Sequence, residues 1–111
     1  MTAYLIVRAE VEEGSREGFD HWYENEHLPD AFRDFKAVSA ARGWSDVEPG
    51  MHTAFYEFPD LKTANAILNS ELIKEFIKEF DRHWDGKVKR TRDILDIKPK
   101  ISRVLFTFPS Q

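Results

Sequence analysis

His27 is the residue whose type and position best suit acid–base chemistry. It lies near the end of a predicted helix, two residues before Pro29. Histidine has an ordinary pKa of about 6.5, so it can exchange a proton near neutral pH. The carboxyl end of a helix, or a nearby carboxylate, favours a protonated imidazole. We therefore predict His27 as a general acid or base. The alternative is that its ring caps backbone carbonyls that Pro29 leaves free.

Two aromatic residues precede His27 on the same predicted helix. Tyr23 stands four residues earlier and shares a helix face with His27, so its hydroxyl could orient the imidazole or contact a substrate carbonyl. We predict Tyr23 as a second catalytic residue and Trp22 as a substrate contact. The alternative for both residues is aromatic packing of the helix on a sheet.

Two arginines stand within predicted strands. Arg8 and Arg42 are predicted on the sheet face that points away from the helices, where a charge needs a partner or solvent. Arg42, beside Trp44, could hold an anionic or enolate oxygen. We place Arg8, Arg42 and Trp44 among the substrate-binding candidates. The alternative for each arginine is an ion pair, in the case of Arg8 with Glu10.

Tyr4 and Tyr56 complete the predicted substrate site as pocket hydroxyls. His52 shares a strand face with Tyr56, but it follows the Gly50-Met51 turn and is predicted at an exposed strand end. His21 and His83 are predicted to be peripheral. We expect no metal site, because no His-x-x-x-His or facial-triad spacing occurs and the chain has no cysteine.

Composition excludes several other classes of function. The net charge is −4 and the pI about 5.5, which argues against nucleic-acid binding. The five glycines form no phosphate-binding loop, so we expect no nucleotide-dependent chemistry. No apolar run of about 18 residues predicts a membrane span. The first residues lack the pattern of a signal peptide, so we expect a cytoplasmic protein.

The elements that must position these residues follow from periodicity. Residues 3–11 alternate in polarity and predict a strand, with Leu5 and Ala9 on one face and Tyr4 and Ile6 on the other. A helix is predicted from Ser15 to His27, ended or kinked at Pro29 and followed by a short turn. The remaining pattern predicts strands at 36–44, 51–58 and 87–97, with a helical region between the last two that is interrupted at 69–70. The order β-α-β-β-α-β predicts a ferredoxin-like α+β domain with an antiparallel sheet over residues 1–99 and a C-terminal extension over residues 100–111.

The predicted sheet carries apolar side chains on both faces. The face away from the helices is predicted to hold Tyr4, Ile6, Val38, Trp44 and one of Phe55 and Tyr56. An apolar face of this kind needs a cover, and the simplest cover is a second copy of the chain related by a two-fold axis. The fifteen aromatic rings also exceed what a single one-sided sheet of this size needs. The extension is predicted to add a short strand, whose Phe106 and Phe108 brace the partner chain.

The run Phe19-Asp-His-Trp-Tyr-Glu-Asn-Glu-His-Leu-Pro-Asp30 resembles the dimeric α+β barrel superfamily, and more narrowly its EthD-like branch. In that branch the first helix ends in a Trp/Tyr-rich turn followed by His-x-Pro. Residues 63–76, interrupted at Ser70, are similar to the second helical pair of that branch, and the likeness extends over about residues 3–98.

The resemblance implies a homodimer with a pocket for small aromatic, polyketide-like or lactone compounds. Its members often need no cofactor, and their reactions include oxygenation, isomerisation, cyclisation and dehydration. We therefore expect a cofactor-independent enzyme that acts on a hydrophobic carbonyl compound through His27. The alternative is a homodimer that binds a small hydrophobic molecule, or is stress-associated, without activity of its own.

Overall fold

The computed structural model describes residues 2–101 and Arg103. One sheet holds four strands: β1 (Thr2–Val11), β2 (Ser39–Trp44), β3 (Met51–Phe58) and β4 (Val88–Ile97). Their order is β2-β3-β1-β4, and every neighbouring pair is antiparallel. The ferredoxin-like α+β fold predicted from the periodicity is therefore confirmed. None of the described helices is long and apolar enough to cross a membrane.

The first helical region runs without a break from Arg16 to Phe35. It consists of α1 (Arg16–Trp22), a π-helical turn (Tyr23–His27) and α2 (Leu28–Phe35). In the π turn the amide of Leu28 donates to the carbonyl of Tyr23, five residues earlier. The prediction that Pro29 ends the helix, with only a short turn beyond it, is wrong. Pro29 lies in the first turn of α2, directly after the π turn, where the hydrogen-bond pattern of the helix changes.

The second helical region divides as the sequence predicts. It forms α3 (Leu61–Leu68) and α4 (Glu71–Trp84). The Asp60 side chain accepts the amide of Thr63 at 2.7 Å, and the Ser70 hydroxyl accepts the amide of Ile73 at 3.3 Å. These side chains satisfy amides that each helix start leaves free, so both helices begin where a cap is available.

The core lies between the sheet and the helices. Leu5, Ala9, Ala54, Tyr56 and Phe58 point into it from the central strands. The helices contribute a second set of buried side chains, which includes Phe19, Trp22, Tyr23, Phe35, Ile73 and Phe80. Alternation along β1 therefore places its two faces as predicted.

Of the two alternatives predicted for the opposite face, Phe55 takes the outer position and Tyr56 is buried on the helix side. Trp44 and Val38, which were also predicted for that face, do not lie on it. Trp44 pairs with His52 of β3 and packs against Phe19 of α1, so it also faces the helices. Val38 lies in a bend before β2, since that strand begins at Ser39 and not at residue 36.

The outer sheet face is apolar at its centre. Phe55 and Leu95 are 39% and 40% exposed, and Tyr4 and Ile6 lie between them on β1. The predicted strand of the C-terminal extension, with Phe106 and Phe108, lies outside the described residues.

Candidate active site

A cavity opens between the inner face of the sheet and the helices. Its free volume is about 30 Å³, which is room for about one or two water molecules, and it is partly open to solvent. Most of its wall is apolar. The lining residues are Leu5, Val7, His27, Phe35, Tyr56, Ile73, Phe76, Ile77, Phe80, Arg90 and Arg92.

The π turn carries His27 to the wall of this cavity. The His27 ring stacks on Trp22 with centroids 4.6 Å apart and planes at 22°. The edges of Tyr23, Phe76 and Phe80 surround it, with centroids 4.8, 5.7 and 5.8 Å away. Trp22 therefore supports His27 from behind and does not line the cavity itself, so the predicted substrate contact of Trp22 is not formed directly.

His27 is held in its uncharged form. Burial among the aromatic rings, and then the positive charge of Arg90, lower the pKa of His27 to about 3. The expected protonated imidazole is therefore wrong, because the helix does not end at His27. Within residues 2–101 the His27 ring has no hydrogen-bond partner. The alternative role as a cap for carbonyls at Pro29 is not formed.

Two tyrosine hydroxyls meet beside the cavity. The Tyr23 and Tyr56 oxygens lie 3.0 Å apart in a buried hydrogen bond. Burial raises the pKa of Tyr23 to about 12 and that of Tyr56 well above its ordinary value, so both hydroxyls keep their protons. Tyr56 lines the cavity, and Tyr23 lies behind it. A protonated pair of this kind can donate one hydrogen bond to a ligand oxygen and share the other between its members.

Arg90 and Arg92 form part of the cavity wall, and neither was predicted as a site residue. Both point inward from β4, between the apolar positions Val88 and Ile94. The alternation of residues 88–94 could have revealed them, because it places two arginines on the same strand face as core residues. The sequence interpretation assigned this stretch only as a strand with a charged face.

Arg42 and Trp44 belong to a separate polar cluster at the β2 edge. Arg42 forms an ion pair with Asp20 of α1, and the Trp44 indole donates to the same carboxylate at 2.7 Å. Arg42 also donates to Nε2 of His52 at 3.1 Å. Both residues were predicted on the outer face, and that prediction is wrong for each. His52, predicted at an exposed strand end, is fully buried, and burial lowers its pKa to about 4.

Tyr4 and Arg8 lie on the outer sheet face, across the sheet from His27. Arg8 forms an exposed ion pair with Glu48 at 3.3 Å, so its partner is not the predicted Glu10. The structure thus brings His27 and Tyr56 together at the cavity, with Trp22 and Tyr23 behind them. It does not bring Tyr4, Arg8, Arg42 or Trp44 there. Among the described residues, no group of three metal-ligating side chains could hold a metal ion.

The cavity wall combines three chemical capabilities. An uncharged imidazole can accept a proton, a protonated tyrosine can donate a hydrogen bond, and two guanidinium groups can attract negative charge. The apolar remainder of the wall excludes water, which strengthens each of these interactions. This arrangement suits the formation and stabilisation of an anion on a hydrophobic molecule.

Comparison of the fold with solved structures gives many similar chains. An EthD (ethyl tert-butyl ether D) family protein from Bacillus halodurans has a TM-score of 0.67 at 17% identity, with 87% of this chain and 99% of that chain covered. This chain shares the α+β fold of that protein. The resemblance found in residues 19–30 is thereby confirmed at the level of the fold.

Other neighbours with this fold are oxygenases by name. A variant of SnoaB, a cofactor-independent oxygenase from Streptomyces nogalater, has a TM-score of 0.65 at 9% identity, covering 92% of this chain and 98% of that one. A putative antibiotic biosynthesis monooxygenase from Nitrosomonas europaea has a TM-score of 0.64 at 15% identity, covering 91% and 94%. No protein-family model and no curated protein matches the sequence.

Proposed function

We propose that this protein is a small cofactor-independent enzyme that removes a proton from a hydrophobic, aromatic or polyketide-like carbonyl compound. The observation that carries the proposal is the position of His27. Its ring is uncharged, has no hydrogen-bond partner within residues 2–101, and lies in the wall of a largely apolar cavity beside Tyr56. The uncharged ring can accept a proton, but its lowered pKa makes it a weak base in the empty cavity, so the proposal requires a bound anion that raises this pKa.

The proton transfer follows from the geometry of the wall. A C–H bond next to the substrate carbonyl breaks, the proton passes to the His27 imidazole, and the electron pair moves onto the carbonyl oxygen. The Tyr56 hydroxyl donates a hydrogen bond to the enolate oxygen that forms, and Tyr23 holds Tyr56 in place. Return of the proton at another carbon gives isomerisation, and attack of the enolate on a second carbonyl gives cyclisation. Reaction of the enolate with dioxygen would give chemistry of the kind named for SnoaB.

Deuterium exchange tests the proton transfer without knowledge of the natural substrate. The α-protons of 2-tetralone, a two-ring ketone, are followed by ¹H NMR in D₂O with and without protein. We expect the wild-type protein to accelerate exchange and His27→Gln to lose about 10²-fold or more of that acceleration. His21→Gln serves as the matched control, because His21 is an exposed histidine of the same helical region.

Circular dichroism confirms that each variant is folded. Equal exchange rates in the His27→Gln and wild-type proteins would contradict the role of His27. The second candidate function, binding without catalysis, is favoured by the lowered pKa of His27, which makes the imidazole a weak base. It predicts shifts in the protein NMR spectrum when 2-tetralone is added, with exchange no faster than in buffer.

We also propose that the chain acts as a homodimer through the outer face of its sheet. Tyr4, Ile6, Phe55 and Leu95 form an apolar patch there, which a second copy would cover. The face is self-complementary in a two-fold arrangement, because the same residues would meet across the axis. In this proposal, residues 1–99 form the barrel domain and residues 100–111 extend over the partner.

A further inference from the structure

Two guanidinium groups lie on the inner face of one edge strand. Arg90 and Arg92 are two residues apart on β4, so their side chains leave the same face of the sheet. The Arg90 side chain is only 12% exposed, lies 4.0 Å above the Phe80 ring, and pairs with Asp81 at 3.3 Å. Arg92 lies beside Val7 of β1, and in residues 2–101 no carboxylate lies within ion-pairing distance of it.

The local charges do not balance. Arg90 and Arg92 bring two positive charges to the cavity wall, Asp81 brings one negative charge, and His27 is uncharged. Burial lowers the pKa of both arginines, which reflects the cost of holding these charges away from water. A half-buried cation without a partner is unfavourable unless an anion joins it. Arg90, Arg92 and Asp81 together therefore carry one net positive charge, which a bound anion would neutralise.

The neighbouring residues limit the chemistry of the missing anion. Leu5, Val7, Ile73 and Ile77 line the same cavity and favour an apolar body over a highly hydrated ion. A guanidinium group binds a carboxylate through two parallel hydrogen bonds, which suits a compact planar anion. Inorganic phosphate has no apolar body to contact these side chains, so the lining favours an aromatic acid over phosphate.

We propose that the ligand of this cavity is an aromatic acid, whose carboxylate is bound by Arg92 with support from Arg90. The aromatic body lies among the apolar side chains and extends toward His27, and because the free volume is only about 30 Å³, the side chains of Phe76 and Ile77 must move apart to admit it. The inference rests on the proposed function for the reacting end of the molecule, and it names the substrate class: a carbonyl compound that also carries a carboxylate. Arg92 acts here as a binding residue, distinct from the proton acceptor.

Binding of matched acid and amide probes tests this assignment. Benzoate, phenylacetate and 2-naphthoate are each titrated into the full chain beside the corresponding primary amides, with NMR shifts and calorimetry as readouts. We expect at least one acid to bind at the cavity about ten-fold or more tightly than its amide. Arg92→Gln should remove this preference, and Arg92→Lys should restore part of it. Arg82→Gln, an exposed arginine of α4, is the control with the same change in charge.

Several outcomes would overturn the inference. These are equal binding of every acid and its amide, no binding of any acid, or an unchanged preference in Arg92→Gln. Inorganic phosphate binding as tightly as the best acid would indicate a simple anion site instead. The His27→Gln variant separates the two proposals, because it should keep the preference for the acid even if proton transfer is lost or never existed. Loss of deuterium exchange with retained acid binding would contradict only the role of His27.

Discussion

The partly buried, uncharged His27 couples the stability of the fold to pH. Its pKa is about 3 in the folded chain against about 6.5 when exposed, and buried His52 has a pKa of about 4. Both values are depressed, so the unfolded chain binds more protons as the pH falls. We expect the free energy of unfolding to be constant between about pH 7 and pH 9 and to decline as the pH falls from 6.5 to 4. Each histidine adds a slope of up to about 1.4 kcal/mol per pH unit in that window.

Urea unfolding at a series of pH values measures this decline. His27→Gln should flatten the curve between pH 6.5 and pH 4, whereas His21→Gln, at an exposed position, should leave it unchanged. The lowered pKa of Asp20 acts only below its ordinary value of 3.8, outside this window. A His27→Gln curve that is parallel to the wild-type curve would show that His27 is charged or exposed in the folded chain.

Residue-scale predictions succeeded where local sequence decides the outcome. His27 and Tyr23 share a turn of one helix, so their proximity follows from spacing alone. The charge state of His27 does not, because its burial depends on Phe76 and Phe80 of α4, about fifty residues later in the chain. Arg42 was misplaced for a related reason. A short strand with Ala40 and Ala41 on opposite faces gives little indication of which face is buried.

The π turn is the element that sets the position of His27. A π turn carries one residue more per turn than the α-helix around it, so α1 and α2 can keep Phe19 and Phe35 in the core on either side of an inserted residue. Such turns cost stability and are often found at functional sites. Pattern analysis could not detect it, since the same sequence with Pro29 also suits a helix end.

Deletion of one exposed residue from this turn tests whether the turn serves the stability of the fold or the position of His27. Removing Asn25 converts the π turn into a regular α turn and leaves α1 and α2 facing the core. We expect thermal unfolding at the same temperature as the wild type or above it. The His27 ring should leave the cavity wall, and the exchange of 2-tetralone protons should fall about as far as in His27→Gln.

Deletion of Lys74, an exposed residue of the regular helix α4, is the control. It rotates Phe76 and Phe80 away from the core by about 100°, so the protein should lose much of its stability. If the Asn25 deletion is as destabilising as the Lys74 deletion, then the π turn is an integral part of the packing and not an insertion that positions His27.

At the scale of the whole molecule, the two faces of the sheet differ in what they contact. The inner face and the helices enclose the cavity, while the outer face presents an apolar centre. The element order and the two faces of β1 could be predicted, because alternation over ten residues is a strong signal. The cavity could not, since its wall draws on β1, β3, β4, the π turn, α2 and α4 and depends on how they pack.

The outer face makes the oligomeric state sensitive to single substitutions. Phe55 lies near the middle of the apolar patch and is 39% exposed in the isolated chain. In the proposed dimer, Phe55→Asp would bury a carboxylate without a partner against its own copy, which strongly disfavours association. We expect sedimentation velocity to give a dimer for the wild type and a monomer for Phe55→Asp at micromolar concentration.

Val47→Asp introduces the same charge at a loop residue that is 88% exposed, and it should stay dimeric. A wild-type monomer at all concentrations, or a dimer that survives Phe55→Asp, would place the contact elsewhere or exclude it.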